Sequence, residues 1–133
     1  MSWAIYDYLH PTHGNLIKDW SLGLQKKERA KLNQKIDALA MYGTDLIPGI
    51  VAPTGVSSIF KLKVHGHVQL RPMLCEGPGT AELAFTFLLG AKEIQSEYEP
   101  RGAPQTAAEY RQDLMSYPER RRQHERVNGN SQS

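Results

Sequence analysis

Phe60-Lys61-Leu62-Lys63-Val64, then Leu70-Arg71, then Phe87-Leu88-Leu89-Gly90-Ala91-Lys92 and Tyr98 are the stretches whose reading decides the fold. Successive side chains of a strand point to opposite faces. Lys61 and Lys63 therefore share one face, and Phe60, Leu62 and Val64 share the other. The apolar face predicts burial, and the opposite face aims two cations at something anionic. The short connection Val64-His-Gly-His-Val68 suits a hairpin and carries Arg71 toward the same region. The pattern predicts a small α+β domain with a basic, concave sheet face.

Working outward, Ile59–Val64, Val68–Cys75 and Ala81–Leu89 read as three strands, and their short connections predict antiparallel meander pairing. Pro72 removes a ladder donor and predicts an edge or bulge in the second strand. Glu76-Gly77-Pro78-Gly79-Thr80 is a turn signal. Upstream, Gly49–Ser58 reads as a loop. Lys26–Tyr42 contains no Gly or Pro, and Leu32, Ile36 and Leu39 recur at helical spacing, so a helix spans it and stops at Gly43. Asn15 is placed to cap a shorter helix that runs to about Leu22, with Leu16, Ile17 and Trp20 inward and Gly23 at its end. The two helices form an amino-terminal hairpin whose apolar side needs a sheet face. Trp3–Tyr8 alternates as a first strand. Downstream, Pro100–Pro104 reads as a connection. A last helix follows from about Thr106 beyond Ser116, with capping-box spacing at Thr106 and Glu109. Pro118 predicts a kink or restart. Residues 1–127 form the expected domain, and the polar 128–133 a disordered tail.

The 133 residues carry 16 Lys and Arg against 14 Asp and Glu, for a net charge of +2. Basicity is therefore local, and only patch arguments bear on nucleic-acid binding. With 40% apolar and 23% charged residues the composition is that of a globular domain. No apolar run predicts a membrane span, and the amino end has no signal-peptide pattern. The single cysteine, Cys75, excludes an internal disulfide framework and suits a reducing, cytoplasmic setting. Its apolar surroundings predict a buried structural thiol. No internal repeat, Gly-rich phosphate loop, Ser-His-Asp order or zinc-deaminase motif is present.

The predicted order β-α-α-β-β-β-α resembles the RelE/HigB/ParE toxin superfamily, in particular its phage-derived HigB-like branch. The resemblance covers roughly Trp3 to Arg126. It rests on the tryptophan-containing, lysine-rich stretch from Ile17 to Leu32, on Phe60–Val64 with Leu70-Arg71-Pro72-Met73-Leu74, and on Phe87–Lys92 leading to Tyr98. It implies the toxin of a toxin–antitoxin pair that cuts messenger RNA on the ribosome. The implied partners are a cognate antitoxin of helix-turn-helix type, the ribosome and mRNA. It implies catalytic roles for Lys61, Lys63, Arg71, Lys92 and Tyr98, with no cofactor or metal. At Lys92 the family has arginine, and lysine lacks its planar donor fork.

RNA cleavage by the 2′-hydroxyl builds charge on a pentacoordinate phosphate. Cations beside it stabilise that state more than the ground state. A lysine can accept the 2′-proton, Arg71 can clamp phosphate, and a tyrosine can stack on a base. Arg111 and Arg120-Arg121-Arg122, with His124 and Arg126, form a carboxy-terminal basic patch, read as RNA-binding or as a solvated helix end. Lys61 and Lys63 read equally as a solvated strand face. His65 and His67 flank a hairpin glycine and read as surface residues or as an acid–base pair. His10 and His13 have metal-compatible spacing without a clear third ligand. The second functional class is a non-enzymatic binding protein on the same fold, either a ParE-like gyrase inhibitor or a phage partner-binding protein.

Overall fold

The computed structural model of the chain describes residues 2–77 and 83–127. Strand β1 (Ala4–His10) passes through β2 (Gly14–Asn15) into helices α1 (Leu16–Leu22) and α2 (Lys26–Tyr42). Asn15 caps α1: its side-chain oxygen accepts the Lys18 amide at 3.0 Å, satisfying a donor that the first turn leaves free. The α2 bounds are those its periodicity predicts. It opens on a capping box between Gln25 and Glu28 and ends at Gly43. Gly43 has φ +53, and a Cβ there would lie 2.0 Å from the indole of Trp3, so only glycine fits.

Strands β3 (Val51–Pro53), β4 (Phe60–Leu62), β5 (Gln69–Leu70), β6 (Met73–Glu76) and β7 (Ala84–Leu89) follow. The chain continues through β8 (Lys92–Ile94), β9 (Glu97–Glu99), helix α3 (Ala103–Ser116) and β10 (Arg121–Gln123). The main sheet runs β10-β1-β7-β6-β4-β3, with β2 on β1; β5-β8-β9 form a separate three-stranded sheet. The fold is α+β.

The main sheet is mixed, which corrects the expected antiparallel one. β1 and β7 pair in parallel from Ala4 opposite Ala84 to Asp7 opposite Phe87. The pairs β4–β6 and β6–β7 are antiparallel, as their short connections require. A parallel pair needs a long crossover, and the whole α1–α2 hairpin with the following strands supplies one between β1 and β7.

Three layers result. The α1–α2 hairpin covers one face, where Ile17, Leu32, Ile36 and Leu39 pack with Leu62, Leu74, Phe85 and Phe87. On the other face Ala103, Ala107 and Leu114 of α3 meet Tyr8, Met73, Cys75 and Leu88. Trp20 of α1 lies flat on Gly90 at the end of β7, where a Cβ would sit 2.1 Å from its ring.

Several local expectations need correction. The single strand over Val68–Cys75 is two strands broken at Arg71-Pro72. Pro72 has no N–H to donate, and the chain changes sheets there. The loop over Gly49–Ser58 contains β3, paired with β4. Helix α3 starts at Ala103 rather than Thr106. Gly102, at φ +70, occupies the cap, Pro104 lies in the first turn, and Thr106 is already helical. Pro100–Pro104 is thus only partly a connection. Pro118 precedes no new helix; the chain turns and β10 adds to β1. The turn at Glu76–Thr80, the start of Ala81–Leu89 and the tail 128–133 lie wholly or partly outside the described residues.

Candidate functional site

Lys61 stands opposite Met73 in the β4–β6 register, so it points to the α3 face while Leu62 enters the core under α2. Its ammonium donates to the Tyr98 hydroxyl at 2.9 Å and lies 5.3 Å from the centre of that ring. Glu93 Oε1 is 3.9 Å from the same ammonium. Glu93 and Tyr98 face each other across β8 and β9, and Gln69 faces Glu93 across β5 and β8. Gln69, Glu93 and Tyr98 therefore form one row on the small sheet, and Lys61 reaches it from the main sheet.

Arg71 joins the two sheets. Its amide donates to the Ala91 carbonyl at 2.8 Å. Its side chain is 7% exposed, and Nε donates to Glu93 Oε1 at 3.0 Å. Nη1 donates to the Leu70 carbonyl at 2.8 Å and Nη2 to Gln69 Oε1 at 3.3 Å. The same Gln69 oxygen lies 2.9 Å from His65 Nδ1. Two cations against one carboxylate leave the cluster positive, with Lys61 nearer the surface than Arg71.

Of the five residues expected to be catalytic, the structure brings together Lys61, Arg71 and Tyr98. Lys63 is half-buried beyond the end of β4. Its amide donates to the Ile50 carbonyl at 2.7 Å, and its ammonium forms no ion pair among the described residues. Lys92 stands opposite Leu70 and Glu99, hence on the face of the small sheet away from Glu93 and Tyr98. Glu93 and Gln69 were missed by sequence reasoning. The alternation Lys92-Glu93-Ile94, then Glu97-Tyr98-Glu99, was the available signal for the hairpin that places Glu93.

Arg111, Arg120, Arg121 and Arg122, expected in one patch, are dispersed. Arg111 lies against the buried Cys75, whose thiol burial pushes up to about 12. Arg120 pairs with Asp113 at 2.5 Å and stacks 4.0 Å over Tyr117. Arg121 lies 4.0 Å over the Tyr6 ring, while Arg122 on β10 is exposed. β10 is separated from β4 by β1, β7 and β6, so Arg121 and Arg122 sit at the opposite edge from Lys61. At that edge the buried Tyr8 donates its hydroxyl to Asp113 at 2.5 Å. The bonds from Tyr8 and Arg120 hold the Asp113 carboxyl below the ordinary carboxylate range.

His10 and His13 have ring centres 4.6 Å apart. His10 Nδ1 accepts the amides of Thr12 and His13, each at 3.1 Å, which gives the pair a loop-closing role. No group of three or more His, Cys, Asp or Glu among the described residues could hold a metal ion. No described helix is long and apolar enough to cross a membrane. Compared with protein-family models, curated proteins and solved structures, the chain has no match.

Proposed function

We propose that the chain is a ribosome-dependent mRNA endoribonuclease of the RelE/HigB kind, the toxin of a toxin–antitoxin pair with a helix-turn-helix antitoxin. The observation that carries this reading is the meeting of Lys61, Tyr98, Glu93 and Arg71 between two sheets. The strand and helix order of the resemblance, filled by β1, α1, α2, β4, β6, β7 and α3, supports it.

In this mechanism the 2′-oxygen attacks phosphorus and the 5′-oxygen leaves, giving a 2′,3′-cyclic phosphate and a 5′-hydroxyl. Lys61 stabilises the added phosphoryl charge. Glu93 accepts the 2′-proton, and the Tyr98 hydroxyl, held by Lys61, is the nearest donor for the departing oxygen. Arg71 is a positioning residue: it orients Glu93 and does not clamp phosphate, because its donors face its own chain. Without a ribosome to align the RNA, cleavage should be poor.

The same buried Arg71 favours a second reading, a non-enzymatic binding protein such as a gyrase inhibitor, since an internally neutralised guanidinium adds little to a phosphate site. Mapping mRNA 5′ ends after brief induction separates the two. New ends within translated codons, abolished by Lys61→Ala, support the nuclease. Growth arrest with intact messages and trapped gyrase–DNA breaks would move the assignment to the second reading.

A further inference from the structure

The side-chain amide of Gln69 has an orientation that its neighbours dictate. Reciprocal backbone bonds between Val64 and Leu70, at 3.1 and 3.0 Å, close the loop that holds His65 beside Gln69. The Gln69 amide nitrogen donates to the Gly66 carbonyl at 3.2 Å. Its oxygen accepts from Arg71 Nη2 at 3.3 Å, and His65 Nδ1 lies 2.9 Å from that same oxygen. Turning the amide over would set its nitrogen against the Arg71 donor and its oxygen against the Gly66 carbonyl. The atom that faces His65 is therefore the oxygen. A carbonyl oxygen only accepts, so these partners assign the His65 ring proton to Nδ1.

Arg71 passes that constraint inward. Its Nη2 is held by Gln69, and its Nη1 by the Leu70 carbonyl, which also accepts the Val64 amide. A guanidinium is planar and rigid, so fixing both terminal nitrogens also aims Nε. Nε is the atom that donates to Glu93 Oε1, the oxygen that Lys61 approaches. A ring nitrogen without a proton at Nδ1 would set a lone pair against the Gln69 oxygen, and that oxygen would turn away from His65 and Arg71 together. An exposed residue of the loop thus reaches a buried ion pair through one amide.

We propose that His65 is a positioning residue, which through Gln69 sets the Arg71 guanidinium and with it the Glu93 carboxylate beside Lys61 and Tyr98. For its effect on cleavage the proposal rests on the nuclease reading. His65 is then neither a bare surface residue nor an acid or base, because it acts on Gln69 and not on RNA.

Proton–nitrogen correlation spectra of the nitrogen-labelled full chain test the linkage without any activity. His65 Nδ1 should show the shift of a protonated nitrogen even in alkaline buffer. The Arg71 Nε–H resonance should move toward that of a free guanidinium in His65→Ala and stay in place in His65→Asn, whose amide nitrogen can occupy the position of Nδ1. Single-turnover cleavage on programmed ribosomes reads the consequence. His65→Ala should slow the chemical step about fivefold, the worth of one neutral hydrogen bond, with the half-saturating ribosome concentration unchanged. His65→Asn should restore it. A bare Nδ1 in the native chain, or an Arg71 resonance indifferent to His65→Ala, would overturn the proposal. So would equal slowing in both variants, or none in His65→Ala. A wild-type chain that cuts nothing would remove the nuclease reading alone, and the spectra would still decide whether His65 sets Arg71.

Discussion

Arg71 and Lys61 look alike in the sequence, as cations on neighbouring strands, yet their surroundings assign them different work. Arg71 is buried and bonded to Glu93, Gln69 and the Leu70 carbonyl. Arg71→Ala should therefore cost roughly 2–4 kcal/mol of stability by stranding those partners. Lys61→Ala should cost under about 1 kcal/mol while removing cleavage. Urea melts beside single-turnover cleavage on programmed ribosomes check the pair; a fully stable Arg71→Ala would show that its bonds do not hold the small sheet. Cys75 gives a second residue-scale expectation. Its thiol is 1% exposed and pushed up to about 12, so it should resist a thiol reagent at pH 8 until the chain unfolds. Rapid labelling of native protein would place Cys75 at the surface. The sequence made the burial of Cys75 legible from its apolar neighbours. It hid that of Arg71, because burial there comes from β8 and β9, which are distant along the chain.

The β8–β9 hairpin carries both Glu93 and Tyr98, and its turn explains why it was not foreseen. Gln95 and Ser96 take φ +52 and +69, a left-handed pair that Asn-Gly normally announces. Ser96→Gly should relieve the strain and raise stability by about 0.5–1 kcal/mol, read as a higher urea midpoint with an unchanged slope. A lower midpoint would mean that this turn is not strained. Helices α1 and α2, in contrast, were legible to the residue, because capping by Asn15 and the spacing of Leu32, Ile36 and Leu39 are local signals. β10 was invisible because its pairing partner, β1, lies at the other end of the chain. Asp113 ties α3 to that edge. Its carboxyl is depressed, first by the Tyr8 hydroxyl and then by Arg120. A depressed carboxyl contributes stability that is full above its unfolded value of about 3.9 and is lost as pH falls toward the native value. Asp113→Asn should flatten that part of the acid limb and leave neutral-to-alkaline dependence unchanged. Melting temperatures of both proteins across the acid range measure it.

The whole molecule rests on two apolar interfaces, one on each face of the main sheet. Ile36 is 7% exposed between α2 and the sheet. Ile36→Asp places an unpaired charge there and should unfold the chain, since several kcal/mol is weighed against a total of roughly 5–15. An unchanged thermal melt would place the core elsewhere. The helical hairpin on one face and a helix near the carboxyl end were readable from periodicity. The parallel β1–β7 pair was not, because nothing local distinguishes a strand that waits for a distant partner. That waiting has a consequence for how the protein is made. β1 leaves the ribosome well before its flanking partners, β7 and β10, which begin only at Ala84 and Arg121. A nascent chain that has not reached them holds β1 with bare edges, apart from its contact with β2. The main sheet can therefore close only once Arg121–Gln123 has emerged. A product stalled before that point would present unpaired strand edges, which favour association with other chains over productive folding.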